Sequence, residues 1–348
     1  TNNTPGEIIP NLFSKISSMP VAGYGIFQKE RVEKEFFPAV RYADRATGNI
    51  YQTFVDDIKE RKFSTTIIPT VYEAVFANNG DTAILRYLKN DGQTIQTFLG
   101  TLPKESLGSD VTEGYELKGY FLPDNISDLS LSLDATNLFY LLKSTNSVSG
   151  ITLSIKDSKK TQIFDSQFTE WLPWWGTNNT ISLTTKASGN TLGYMYTLDT
   201  SRKFTKTLGG TVGLTTLGSP DGKMALLSDS SLTLSVYNTT TREIRTLGLQ
   251  TLPEKCAWSK DSLIVYCAVP RNPSVALYPD SWYQGEISFD DQIWKVDIVK
   301  GTTTLIADPF VSEGGEQIDA IKLSLDTNEN YLFFVNKKDS FFWKLDLK

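Results

Sequence analysis

The chain of 348 residues contains no histidine. That removes the usual general base at neutral pH, the Ser-His-Asp and Cys-His nucleophile systems, and imidazole ligation of metals. Carboxylates alone can run a hydrolysis, so the absence narrows the chemistry without closing it. Lys and Arg form no basic stripe and the net charge is −6, which argues against nucleic acid as a partner. No apolar stretch reaches the ~20 residues a helix needs to cross a bilayer. No twelve-residue Asp-x-Asp loop with a glycine and a terminal Glu is present, so no calcium loop is indicated. No residue pattern calls for a metal or any other cofactor.

Cysteine is nearly absent. The two that exist, Cys256 and Cys267, flank one hairpin. If Asp261 and Ser262 form the turn, the two face each other directly, within disulfide reach for a non-hydrogen-bonded pair. A four-residue loop would make them diagonal and harder to join. A bond would place the protein in an oxidising compartment; without one, both are small buried apolar residues.

What the chain has is repetition. Seven stretches read as the same half-buried strand, mostly alternating apolar and polar residues, roughly every 40 to 60 residues. They begin at Ile50, Ile95, Ile151, Tyr194, Leu232, Ile293 and Phe342. A second repeat is an apolar strand, a short polar turn and another apolar strand. Its clearest copy is Leu217-Gly218-Ser219-Pro220-Asp221-Gly222, with weaker ones at Phe76–Gly80, Leu131–Asp134, Trp258–Asp261 and Leu323–Asp326. Periodicity of this kind predicts one all-β domain, a seven-bladed β-propeller of four-stranded antiparallel blades. The blades fall at about 19–66, 67–120, 121–167, 168–208, 209–250, 251–308 and 309–348. Blade 7 runs out one strand short, and the segment 9–17 is expected to supply that strand and close the ring. Residues 1–8 read as a polar tail. The chain begins at Thr1 rather than Met, which fits a removed signal peptide or N-terminal membrane anchor upstream.

Ser219-Pro220-Asp221-Gly222 and Trp258-Ser259-Lys260-Asp261 resemble the repeat of TolB-like and WD-like propellers. Longer stretches resemble exported WD-like propeller proteins of uncultured candidate-phylum bacteria: Val40-Arg41-Tyr42 with Ala46–Tyr51, Trp171-Leu172-Pro173-Trp174-Trp175 with Thr184–Gly189, Trp282-Tyr283-Gln284-Gly285, and Asn336-Lys337-Lys338-Asp339. The resemblance implies a propeller in an exported, periplasmic or cell-surface setting, and carries no catalytic residues with it. Periplasmic TolB-like propellers bind other proteins. This chain lacks their N-terminal α/β domain, so their particular partners do not transfer.

Two long excursions interrupt the repeats: 103–116 in blade 2 and 270–291 in blade 6. Long loops on a rigid scaffold commonly carry binding. In the second, Tyr278, Trp282 and Tyr283 read as aromatic anchors with acidic neighbours Glu286, Asp290 and Asp291; the alternative is that these aromatics fold down on their own blade. Trp171, Trp174 and Trp175 are a weaker candidate, as a stacking platform for sugar rings or as packing between blades. The adjacent pairs Asp290/Asp291 and Asp56/Asp57 supply carboxylates, but neighbours on a strand point to opposite faces, so adjacency does not make the paired geometry glycoside hydrolysis needs. The sequence reads as a non-enzymatic protein-interaction propeller at the cell envelope or surface. The alternative is a carbohydrate-binding or carbohydrate-cleaving propeller.

Overall fold

A computed structural model describes residues 12–57, 59–104, 114–177, 180–312 and 315–348. The polar tail 1–8, the first residues of the closing segment and most of the blade 2 excursion lie outside the described residues. The strands assemble into seven four-stranded antiparallel sheets, each using consecutive strands except the last. Blade 7 takes Ala320–Leu325, Tyr331–Asn336 and Phe342–Asp346 from the C-terminus and Phe13–Lys15 from the N-terminus. The closing strand is in register with Phe13 opposite Leu345 and Lys15 opposite Trp343. Ser17 extends the contact, its Oγ accepting from Phe342 N at 3.0 Å. Ring closure thus pairs the outer edge that blade 7 would otherwise leave open.

All seven strand copies read from the sequence are third strands of their blades. Their alternation follows from position, because a third strand packs one face against each neighbouring blade. The repeated turn joins first strand to second and has a physical signature. In blades 3, 5 and 6 a buried serine (Ser132, Ser219, Ser259) donates to the aspartate two residues on, and its Oγ accepts the backbone N–H five residues on. Blade 7 departs from the expected alignment by two residues. There Asp326, not Ser324, occupies the serine's place, its N–H bonding Tyr331 O and its carboxylate accepting from Tyr331 N at 2.7 Å.

The hairpin of blade 6 puts Cys256 directly opposite Cys267, with Cα atoms 4.0 Å apart and the sulfurs bonded. Ser259 N reaches Ile264 O at 2.8 Å, so a four-residue loop here keeps the symmetric register about Asp261 and Ser262 rather than shifting it. Buried apolar clusters fill the wedges between blades; the one joining blades 6 and 7 contains Phe13, Ile293, Phe334 and Trp343.

Candidate functional site

In each blade the first strand runs down, the second up, the third down and the fourth up. Second-to-third connections and blade-to-blade links therefore emerge together, on what we term the upper face; the serine turns lie on the lower face. The blade 6 excursion lies on the upper face. Arg271 N bonds Asp290 O at 2.8 Å and closes its base, and one helical turn, Asp280–Tyr283, caps it. From there it contacts blade 4, two blades away, and the adjacent blade 7. Gly189 N of blade 4 donates to Asp280 Oδ2 at 2.5 Å. Lys337 of blade 7 donates to Trp282 O and lies 4.1 Å over the Trp282 ring.

The aromatics of this loop point inward. Tyr278, Trp282 and Phe289 are buried with Leu232 and Leu252, and the Trp282 and Phe289 rings stack at 5.8 Å. Beneath them sits a buried ionic cluster. Lys255 Nζ is 2.8 Å from Asp291 Oδ2 and 2.6 Å from Asp319 Oδ1, and all three side chains are fully buried. Asp319 also accepts from Trp282 Nε1 at 2.9 Å, Ser288 Oγ at 3.0 Å and Phe289 N at 3.0 Å. Burial pushes the Asp319 carboxyl up, but Lys255 and these donors outweigh it and hold the group below its ordinary value. Asp291 has fewer donors. Burial dominates there, Lys255 opposes it, and the Asp319 charge adds to it, leaving Asp291 pushed up to about 6.

The structure does not gather the loop's candidate residues on one surface. Tyr278, Trp282 and Asp291 are buried. Tyr283 is 36% exposed, with its hydroxyl given to Glu254 Oε1 at 2.6 Å. Asp290 is held by Arg271 at 3.6 Å; Glu286 is exposed. An indole or phenol hides more apolar area under a loop than any other side chain available here, so burial wins over display. What the loop presents instead is Val275, fully exposed, and Leu277.

The three tryptophans of blade 4 also separate. Trp171 is buried at the upper end of its strand, packed edge-on against Phe164, Phe168 and Phe204. Trp174 lies at the lower end, facing the central channel. Trp175 packs between blades 3 and 4. Around Trp171 is a feature the sequence did not single out: a groove of about 750 Å³ lined by Phe168, Trp171, Leu192, Tyr194, Tyr196 and Phe204. Phe168, Leu192 and Phe204 are exposed. Glu170 at its edge is paired with Lys143 and Lys186, which holds the carboxyl below its ordinary range. Ala187 and Ser188 line the groove and lead to Gly189, where an added Cβ would stand 2.5 Å from Tyr278 O and 2.6 Å from the Leu277 side chain of the blade 6 loop. Groove and loop thus form one upper surface.

The carboxylate pairs of the sequence are otherwise engaged. Asp56 and Asp57 both bind Arg31, at 2.9 and 3.2 Å, while Asp290 and Asp291 serve Arg271 and Lys255. Among the described residues no three His, Cys, Asp or Glu side chains come together where they could hold a metal ion.

Burial also raises two other carboxyls, Glu254 and Asp128. Asp128, on the first strand of blade 3, is pushed up to about 7, by burial first and by the Glu73 charge second, against the Leu129 backbone donor and the Arg86 and Lys186 charges. A group whose folded pKa exceeds its unfolded value stabilises the fold below the unfolded pKa and loses that contribution as pH rises through the folded pKa. Asp291 and Asp128 act in the same sense, between about pH 4 and 7. We expect the melting temperature to fall as pH is raised from 5 to 8, and Asp128→Asn to flatten the upper part of that slope. An unchanged slope in Asp128→Asn, measured by thermal denaturation across this range, would remove Asp128 as its cause.

No family model matches the chain, and no curated protein matches its sequence. Solved structures do. An oligogalacturonate lyase from Vibrio parahaemolyticus is similar over 97% of this chain and 93% of its own, at TM-score 0.58 and 11% identity. A Swd1 β-propeller domain from Myceliophteria thermophila is similar over 97% of this chain and 100% of its own, at TM-score 0.56 and 7% identity. TolB from Acinetobacter baumannii is similar over 93% of this chain and 79% of its own, at TM-score 0.48 and 12% identity. What the first two likenesses support is the propeller fold. Propellers of this kind include enzymes and non-enzymes alike, so function has to come from the sites.

Proposed function

We propose that the chain is a non-enzymatic protein-interaction propeller of the cell envelope or surface, and that it binds its partner through the upper face between the blade 4 groove and the Pro270–Asp291 loop. One observation carries this reading: exposed Phe168 and Leu192 line the blade 4 groove, and exposed Val275 and Leu277 lie on the loop that meets blade 4 at Gly189 and is bolted to blade 7 by Lys337. Solvent-exposed apolar side chains gathered on a rigid support mark interaction sites, and preorganisation removes part of the ordering cost of binding. The Cys256–Cys267 bond supports an oxidising, exported setting. The test is capture of partners from envelope extract by the parent chain and by Phe168→Ser/Leu192→Ser/Leu277→Ser. Loss of about 2 kcal/mol or more of binding, with unchanged melting, is the expected result. A folded triple variant that keeps every partner overturns the placement.

Carbohydrate binding is the second reading, favoured by the same groove, where Trp171, Tyr196 and Phe204 converge beside Glu170. A glycan array separates the two. Saturable glycan binding that Phe204→Ser abolishes selects the second reading.

A further inference from the structure

The lower end of the central channel holds a second cavity, distinct from the upper face. It encloses about 600 Å³, within the range of small-molecule sites. Its wall is drawn from most of the ring: Ile26, Leu133, Trp174, Leu217, Trp258 and Leu323. All but the buried Trp258 stay partly open to the channel; Leu133 is 49% exposed.

The aromatic part of the wall is built rather than incidental. A Cβ on Gly218 would stand 2.3 Å from the Trp174 ring, and one on Gly176 would stand 2.0 Å from it. Only glycine at both positions lets the indole lie where it does. Trp258 is fixed from the other side of the same blade 5 strand, its Nε1 donating to Leu217 O at 3.4 Å. Two indoles thus bracket the first strand of blade 5 at the channel mouth.

Charge accounting sets the ligand class. Asp326 at the mouth is saturated by the N–H groups of Asn328, Asn330 and Tyr331. Glu329 accepts Lys260 N at 2.7 Å. None of the buried side-chain atoms that lack a partner, among the described residues, belongs to this wall. The charged side chains of the wall are Lys260, Asp326 and Glu329; the two carboxylates are already engaged and Lys260 is exposed to solvent, so a charged guest would give up its hydration against at most a solvated counter-ion, at a desolvation cost. A neutral apolar guest would remove water from exposed Leu133 and from the partly exposed Ile26, Trp174, Leu217 and Leu323, and meet no such penalty.

We propose that this cavity is a binding site for a small, neutral, aromatic or apolar molecule. The site is independent of the upper face.

The test uses the whole chain and the neutral fluorophore N-phenyl-1-naphthylamine. The expected result is saturable 1:1 binding, weakened at least tenfold in Leu133→Glu/Leu323→Glu and unchanged in Phe168→Ser on the upper face. Melting curves confirm that each variant is folded. If the double variant unfolds, Leu133→Glu alone is read, since that side chain is already half exposed; at least a fivefold loss is then expected. Energy transfer from tryptophan to the bound probe should fall in Trp174→Phe/Trp258→Phe and hold in Trp343→Phe. No saturable binding overturns the proposal, as does an isotherm unchanged in a folded channel variant. Tighter binding of the anionic 8-anilinonaphthalene-1-sulfonate at the same site would overturn the neutral class.

Discussion

Trp282→Ala should cost about 3–5 kcal/mol of folding stability, the range for removing a buried aromatic. The side chain is 3% exposed. Its removal opens a cavity beside Phe289 and withdraws the indole donor from Asp319, 2.9 Å away in a buried site. Lys337, now poised over the ring at 4.1 Å, would lose that contact as well. Trp282→Phe keeps most of the volume and removes only the donor, so its cost should be nearer the 1–3 kcal/mol of an unsatisfied buried group. Urea denaturation of both variants checks the order. A Trp282→Ala loss below about 1 kcal/mol would mean the loop is not anchored by this residue. The result also bears on binding assays: a partner lost in Trp282→Ala would report a loosened upper face, whereas one lost in Leu277→Ser would report a contact.

That distinction shows how far the sequence could be read. The fold was legible because a propeller repeats its constraint. Each third strand packs both faces against neighbours, so period-two alternation returns blade after blade, and each serine turn needs the same short hydrogen-bond set. The two-residue shift at Asp326 was not legible, because an aspartate can fill the serine's role and the sequence still offers a serine nearby. The site was harder. Three large aromatics in one loop signal burial and display equally, and the choice depends on what lies beneath. Here that is Lys255, Asp291 and Asp319, far apart in sequence. A signal did exist. Lys255 directly precedes Cys256-Ala257-Trp258, Asp319 sits between Ile318 and Ala320, and Asp291 opens a strand. Three charges at the same end of apolar strands fall at one height of the ring once the blade order is known. The blade 4 groove left less trace, because Phe168, Leu192 and Phe204 belong to three separate segments that only packing unites.

Lys255→Met should destabilise the fold about as much as Trp282→Ala, and its cost should depend on pH. Methionine fills much of the lysine's volume, so packing is largely kept. What is lost is the one cation between Asp291 and Asp319, whose side chains are both fully buried. Breaking such a cluster by removing one partner costs about 3–5 kcal/mol, because the remaining charges stay buried without compensation. In the parent the two carboxyls oppose each other in their pH dependence: Asp291 lies above its ordinary value and Asp319 below it. Without the lysine, burial and mutual repulsion raise both. The folded state then binds protons that the unfolded state releases, so stability is retained at low pH and lost as pH rises through the raised values. Guanidinium denaturation at pH 5.5 and pH 8 should show a much larger gap between the two conditions for Lys255→Met than for the parent. Equal gaps would mean the carboxylates find other partners or water. In that case the ionic cluster would not be what holds the loop over blades 6 and 7, and the apolar cluster of Tyr278, Trp282 and Phe289 would have to account for the rigidity of the upper face by itself.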